Sequence, residues 1–267
     1  MSNKPNSVSS LQKKKLEGEK FSVLTAYDAT FANLLDECGV EVILVGDSLG
    51  MVIQGGTTTL PVTVDDIVYH TRAVSQGSSN ALIMADMPFM ADATPQQAVQ
   101  NAGRLMKEGG AHMVKLEGGA SQVEVVLRLS ELGIPVCGHL GLQPQSVHKL
   151  GGYKVQGRDD DTADTILSDA DKLVEAGADM LLLECVPAEL AARVTAAVAV
   201  PVIGIGAGAD TDAQVLVLYD MLGITPGHRP KFTRDFMADS GSIAEAVRAY
   251  VKAVREGSFP AEQHCFH

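Results

Sequence analysis

Eight short apolar runs, spaced along the whole chain and separated by amphipathic stretches, set the strongest constraint on the fold. They read as strands at Ser22–Ala26, Glu41–Gly46, Ala81–Ala85, Met113–Leu116, Pro135–Gly138, Met180–Leu183, Pro201–Ile205 and Val215–Met221. None alternates apolar with polar, so each is expected to be covered on both faces, as parallel strands are. Helices are expected between them. Thr30–Cys38 stops before Gly39, and Thr63 caps a helix through Ser75 whose first turn carries Asp65 and Asp66. Pro95 takes the first position of a helix that ends near Gly109–Gly110. Ser121–Glu131, Asp161–Glu175 and Ala188–Val198 complete the set, and the rhythm of helix, glycine and strand recurs in CGVEVILVG, GGAHMVKLE and AGADMLLLE. With 267 residues, near the roughly 250 typical of the fold, the chain is predicted to be one α/β domain over 1–267, a (β/α)8 TIM barrel. A helix around Leu11–Glu17 is expected to cap the barrel floor. The amphipathic stretch Ser240–Glu256 is expected to pack outside it or against another subunit. Two places break the rhythm. GAGADTDAQ is too short to hold a crossover helix between the last two strands, and Gly138–Asp161 is a long loop of the kind that tends to be functional.

The chain has no Trp and is 46% hydrophobic, so its core must be built from Val, Leu, Ile, Ala and Met. A net charge of -12 speaks against nucleic-acid phosphates or an anionic membrane as partners. No run approaches the ~18 to 20 apolar residues of a membrane span, and the opening MSNKPNSVSS lacks the apolar core of a signal peptide. Cys38, Cys137, Cys185 and Cys265 form no CxxC pair and read as free thiols, three of them within apolar stretches. A soluble, cytoplasmic protein is expected.

In a βα barrel, chemistry gathers where the strands end. Asp47–Ser48 follows the second run and Asp86 the third. Lys115 and Glu117 lie on and after the fourth, His139 follows the fifth and Glu184 the sixth, while Asp220 falls late in the eighth. One such carboxylate usually caps a helix. Asp47, Asp86 and Glu117 stand on three consecutive strands about 4.8 Å apart, close enough to converge. Together they would repel unless a hard cation joined them, and oxygen ligands suit Mg2+. Lys115 shares a strand face with Glu117, either to bind a substrate anion or to pair with that carboxylate. Glu184, after MLLL, is either a partly desolvated base or one half of a salt bridge. His139 is either a polar ligand or a satisfied structural histidine. The glycines of IGIGAG are expected to serve close packing rather than phosphate binding.

Read together, several segments closely resemble the ketopantoate hydroxymethyltransferase family: TAYDATFA at Thr25–Ala32, VGDSLGMVIQG at Val45–Gly55, TLPVTVDD at Thr59–Asp66, ADMPF at Ala85–Phe89 and MVKLEGG at Met113–Gly119. PVCGHLGLQPQSV, GGYKVQGR, LLLECVP and PVIGIGAG continue the likeness, which covers about Phe21 to Phe236. The resemblance implies Mg2+ on Asp47, Asp86 and Glu117, substrate contacts at Asp47, Ser48, Asp86 and Lys115, and Glu184 as proton-abstracting base. It also implies 5,10-methylenetetrahydrofolate as one-carbon donor, 3-methyl-2-oxobutanoate as acceptor, 2-dehydropantoate as product and a decameric assembly. Two segments depart from the family pattern. Gly55–Thr59 reads GGTTT where a GHDST-like segment is expected, and ITPGHRPKF replaces a more typical ITGGHIPKF. Neither contains a metal or base position, and the first is expected to alter a loop at the site entrance.

Two other readings suit parts of this pattern. A Mg-dependent carbon–carbon lyase or mutase of the isocitrate lyase–phosphoenolpyruvate mutase type would share the GDS-like strand end, but would be expected to carry a cysteine-containing catalytic loop. Here Cys137 and Cys185 fall in strand contexts. A non-catalytic anion-binding barrel would make no use of three converging carboxylates.

Overall fold

The computed structural model describes residues 4–227 and 229–267, and residues 1–3 and 228 of the segments discussed above lie outside it. Eight parallel strands, β1 (Phe21–Thr25), β2 (Val42–Val45), β3 (Leu82–Asp86), β4 (Met113–Glu117), β5 (Val136–Gly141), β6 (Met180–Glu184), β7 (Val202–Ile205) and β8 (Ala213–Leu216), close in sequence order into a barrel. The seam is made by β1 beside β8, with Phe21 opposite Ala213 and Leu24 opposite Leu216. The helices are α1 (Val8–Glu17), α2 (Ala29–Glu37), α3 (Leu49–Val52), α4 (Val64–Gly77), α5 (Pro95–Lys107), α6 (Val123–Glu131), α7 (Val147–Leu150), α8 (Asp160–Glu175), α9 (Ala188–Ala197), α10 (Leu218–Met221) and α11 (Ile243–Arg255). The expected caps are in place. The Thr63 hydroxyl accepts from the Asp66 amide and Thr94 from that of Gln97.

Two cores follow from the two faces of the strands. Inside the barrel, Phe21, Val23, Val42, Leu44, Leu82, Met84, Met113, Cys137, Met180, Leu182, Ile203 and Val215 pack together, and Leu11 of α1 closes the floor from below. Outside it, the alternate strand residues pack against the helices. The smooth apolar runs of the sequence are therefore strands buried on both sides. As expected, no helix separates β7 from β8. The seam is covered by α11, whose fully buried Tyr250 donates to the carbonyls of Val23 (3.0 Å) and Gln214 (2.8 Å).

The last strand differs from the sequence expectation. It begins at Ala213 and ends at Leu216, and Leu218–Met221 turn into α10, so Asp220 sits in a helix and not at a strand end. The Leu218 amide donates to the Thr25 hydroxyl on the neighbouring strand (2.9 Å). Strand and helix are equally buried here, so apolarity alone does not separate them. Cys185 likewise lies just past β6, at φ 47. All four cysteines are free and buried. The glycines after β7 serve close packing. Gly208 has φ +76, and a Cβ on it would lie 2.6 Å from the side chain of Ala188.

Candidate active site

The alternation that fills the barrel with Leu82 and Met84 carries one step further to Asp86. By the same period of two, Met113 leads to Lys115 and Glu117, Cys137 to His139, and Leu182 to Glu184. Strand register then sets Asp86 level with Lys115, and Glu117 level with His139. Five polar side chains thus sit on top of the apolar core, and all but Glu184 are within 9% of full burial. Asp47 enters from the turn after β2, where its amide donates to Asp86 Oδ2 (2.9 Å). The next residue, Ser48, shares a 2.8 Å hydrogen bond with the hydroxyl of Tyr27.

Lys115 is the cation of the cluster. Its ammonium lies 2.9 Å from Asp86 Oδ1 and 3.1 Å from His139 Nδ1, so its ion pair is with Asp86 and not with Glu117. Burial works against its charge, but Asp86, Glu117 and Asp47 outweigh that and raise its pKa. The carboxylates are in the reverse position. Burial first, then the charge of Asp86, pushes Asp47 up to about 7. Burial raises Glu117 well above the carboxylate range, with Lys115 opposing. Burial pushes Glu184 up to about 7, again against Lys115. Among the described residues its nearest basic side chain is His139, whose Nε2 stands 3.2 Å from Oε2. The alternative of a salt bridge to Lys or Arg is not what the fold builds. Burial and then the Lys115 charge hold His139 well below the ordinary imidazole value, with Asp86 and the Leu142 carbonyl pulling weakly the other way.

Gln145 was not visible as a site residue in the sequence, although the long loop that carries it was. Its side-chain amide donates to Asp47 Oδ2 (2.9 Å) and to the Met87 carbonyl (3.0 Å), and its backbone amide donates to Glu117 Oε2 (3.0 Å). One loop residue thereby ties together carboxylates from two strands. The Gly55–Thr59 segment also reaches further in than expected. Thr59 is buried, and its hydroxyl, which makes no aligned hydrogen bond, weakly opposes the upward shift of Asp47.

Among the described residues, no three His, Cys, Asp or Glu side chains are gathered into a ready-made cation cage. Asp47, Asp86 and Glu117 are instead held by Gln145, Lys115 and one another. Their chemistry still suits a hard divalent ion. The donors are all oxygen, three buried carboxylates and the partly buried Glu184 face a single ammonium, and Asp86 Oδ1 is buried without an aligned hydrogen-bond partner. A cation is what would let these groups ionise together.

A buried cluster of acids around one lysine stands at the C-terminal mouth of the (β/α)8 barrel, where enzymes of this fold place their active sites. The family model described as ketopantoate hydroxymethyltransferase matches residues 5–262. The curated 3-methyl-2-oxobutanoate hydroxymethyltransferase of Alkalilimnicola ehrlichii is 59% identical over 98% of this chain and 95% of its own. That of Escherichia coli O157:H7 is 58% identical over 99% of this chain and all of its own. A solved 2,3-dimethylmalate lyase, described as a PEP mutase/isocitrate lyase superfamily member, superposes with a TM-score of 0.58 over 81% of this chain and 82% of its own, at 17% identity. That likeness shows a shared barrel. The chain belongs to the ketopantoate hydroxymethyltransferase family.

Proposed function

We propose that this chain adds a hydroxymethyl group from 5,10-methylenetetrahydrofolate to 3-methyl-2-oxobutanoate, giving 2-dehydropantoate for pantothenate synthesis. The observation that carries the reading is Glu184: a buried carboxyl pushed to about 7, standing beside His139 and near the Lys115 cluster. A base poised near neutral pH is what abstraction of a weakly acidic C–H needs. Lys115 and Ser48 hold the oxo acid, together with Asp47 and Asp86. Asp47, Asp86 and Glu117 would hold the divalent ion, with Mg2+ as the family's usual metal. When bound, that ion supplies Lewis-acid polarisation of the substrate ketone.

Glu184 takes the proton from C3, and the electron pair of that C–H bond forms the new bond to the donor's methylene carbon as one C–N bond of the donor breaks and its electron pair stays on nitrogen. Water then replaces the second nitrogen on that carbon, supplying the hydroxyl oxygen, and tetrahydrofolate leaves with both nitrogens protonated. The apolar core beneath the site keeps Glu184 poorly solvated and therefore basic at neutral pH. Support for the acceptor and product comes from the names of relatives at 58% and 59% identity. The lyase reading has the shared barrel and the GDS-like strand end in its favour. Among the described residues no helix is long and apolar enough to cross a membrane, and the family resemblance supports a cytoplasmic homo-oligomer, a decamer.

The test is proton exchange. The protein is incubated with 3-methyl-2-oxobutanoate and Mg2+ in D2O, with and without the folate donor, and the C3 proton is followed by NMR. Exchange in the wild type and none in Glu184→Gln, with oxo acid still bound, is the expected result. Full exchange in Glu184→Gln would remove Glu184 from the base role.

A further inference from the structure

A serine hydroxyl rotates freely, so one that must present its proton to a ligand in a fixed direction needs to be held. Ser48 stands at the N-cap of the single-turn helix α3, where a serine side chain ordinarily accepts from an amide of the first turn. It makes no such bond here. Its hydroxyl lies 2.8 Å from that of Tyr27 instead. The turn after β2 is shaped to allow this. A Cβ on Gly46 would come within 2.8 Å of Ser48 Oγ and 3.5 Å of Asp86 Oδ2, so any other residue at that position would displace the Ser48 side chain.

Tyr27 is a rigid anchor for it. The residue lies two positions past the end of β1, the strand beside β2, and is 2% exposed. Its ring is stacked on Tyr219, with centroids 6.0 Å apart, and meets His70 edge-on at 6.4 Å. Tyr219 is braced in turn by Phe31, and His70 Nδ1 lies 2.7 Å from the Tyr27 carbonyl. The half-buried Ser48 is thus tied to a phenol that is fixed on two sides. The direction of the bond follows from donor rules. A carboxylate only accepts, and a hydroxyl has one proton. If Ser48 gives its proton to the carboxylate of the oxo acid, Tyr27 must donate to Ser48 Oγ, and a hydroxyl that accepts in this way is a stronger donor itself.

We propose that Tyr27 is a positioning residue for the oxo acid: its hydroxyl donates to Ser48 Oγ and thereby aims the Ser48 proton at the substrate carboxylate. The inference rests on the reading of Ser48 as a contact of the oxo acid. It gives the aromatic group Tyr27, Tyr219 and His70 a task in substrate binding besides packing, since their stacking fixes the phenol that fixes the serine.

A double-mutant cycle tests it. KM and kcat for 3-methyl-2-oxobutanoate are measured with Mg2+ and saturating folate donor in the wild type, Tyr27→Phe, Ser48→Ala and the double variant. Tyr27→Phe removes one oxygen and keeps both ring contacts, and urea unfolding checks that each variant is folded. Ser48→Ala is expected to raise KM about 10- to 100-fold, the scale of a hydrogen bond to a charged group. Tyr27→Phe is expected to raise it about three- to tenfold, the scale of a neutral one. A contact made alike in ground and transition states changes KM and leaves kcat, so kcat should hold in both. In the Ser48→Ala background, Tyr27→Phe should add less than about twofold, because the group it acts through is gone. An equal effect of Tyr27→Phe in both backgrounds, a KM for Tyr27→Phe equal to that of the wild type, or a loss in kcat with KM unchanged overturns the inference and leaves the function standing. An unchanged KM in Ser48→Ala fails the reading of Ser48 itself, and this inference with it.

Discussion

Replacing Lys115 by methionine tests the electrostatics of the site without leaving a hole. The two side chains are similar in volume, so the packing cost is under about 1.5 kcal/mol. The charge is another matter. Lys115 lies 2.9 Å from Asp86 and opposes the upward shift of Asp47, Glu117 and Glu184. Removing one partner of a buried pair typically costs about 3–5 kcal/mol. Here part of that cost can be avoided by protonation, which makes it depend on pH. A carboxyl whose folded pKa is raised binds its proton more tightly folded than unfolded. The stability it contributes is full below the unfolded value and is lost as pH rises through the folded one. For Glu184 that window runs from 4.5 to about 7, worth about 3 kcal/mol. Without Lys115 the folded values climb further. The variant's deficit relative to wild type should therefore be under about 2 kcal/mol at pH 5.5, where packing dominates, and about 3–5 kcal/mol at pH 8. Urea unfolding in EDTA at both pH values, at one protein concentration, measures it. An equal deficit at both, or a larger one at pH 5.5, would refute the argument that Lys115 compensates buried carboxylates.

Other perturbations follow from single contacts. Tyr250→Phe removes the hydroxyl bridging Val23 and Gln214 at the barrel seam and should cost about 1–2 kcal/mol in denaturant unfolding, with proton exchange at the site unchanged. A variant as stable as wild type would mean that the seam carbonyls are satisfied without it. Asp36 accepts from the Ser78 hydroxyl and from the amides of Asn80 and Ala81. Burial alone would raise its pKa, but these bonds outweigh it and lower it. Asp36→Ala should cost about 2 kcal/mol near neutral pH and less as pH falls below 3.8, because a depressed carboxylate stabilises only above that range. A deficit that does not change with pH would point to lost packing. Gln145→Ala frees Asp47 Oδ2 and unties the side-chain link to Met87. Isothermal titration should show an altered Mg2+ affinity, and an unchanged affinity would place Gln145 outside the metal's surroundings.

The barrel was legible because its cause is local. Each strand announces itself as an apolar run, several helices by a cap such as Thr63 or Thr94, and eight repeats leave a chain of this length few other ways to bury both strand faces. The misplaced eighth strand shows the limit. Val215 to Leu218 is uniformly apolar, and the Thr25 hydroxyl, which receives the Leu218 amide from across the seam, marks where strand gives way to helix.

The site divides in the same way. That Asp47, Asp86, Lys115, Glu117 and Glu184 fall in or just past the C-terminal halves of their strands is legible in the sequence, since position in a βα repeat places them at the mouth, and the family likeness of the flanking motifs follows from the same residues. Their partners are a fact of tertiary structure alone. Whether Lys115 pairs with Glu117 on its own strand or with Asp86 on the next depends on barrel register. Whether His139 is inert or stands between lysine and base depends on two neighbouring strands. Gln145 reaches Asp47, 98 residues away, only because the β5 loop folds back over the mouth. The sequence by itself determined which groups arrive at one end of the barrel, because strand periodicity is a property of each segment. Contacts between segments are set by closure of the sheet and by distances of a few ångström, and so the choice of ion pair and the surroundings of Glu184 belonged to the folded chain.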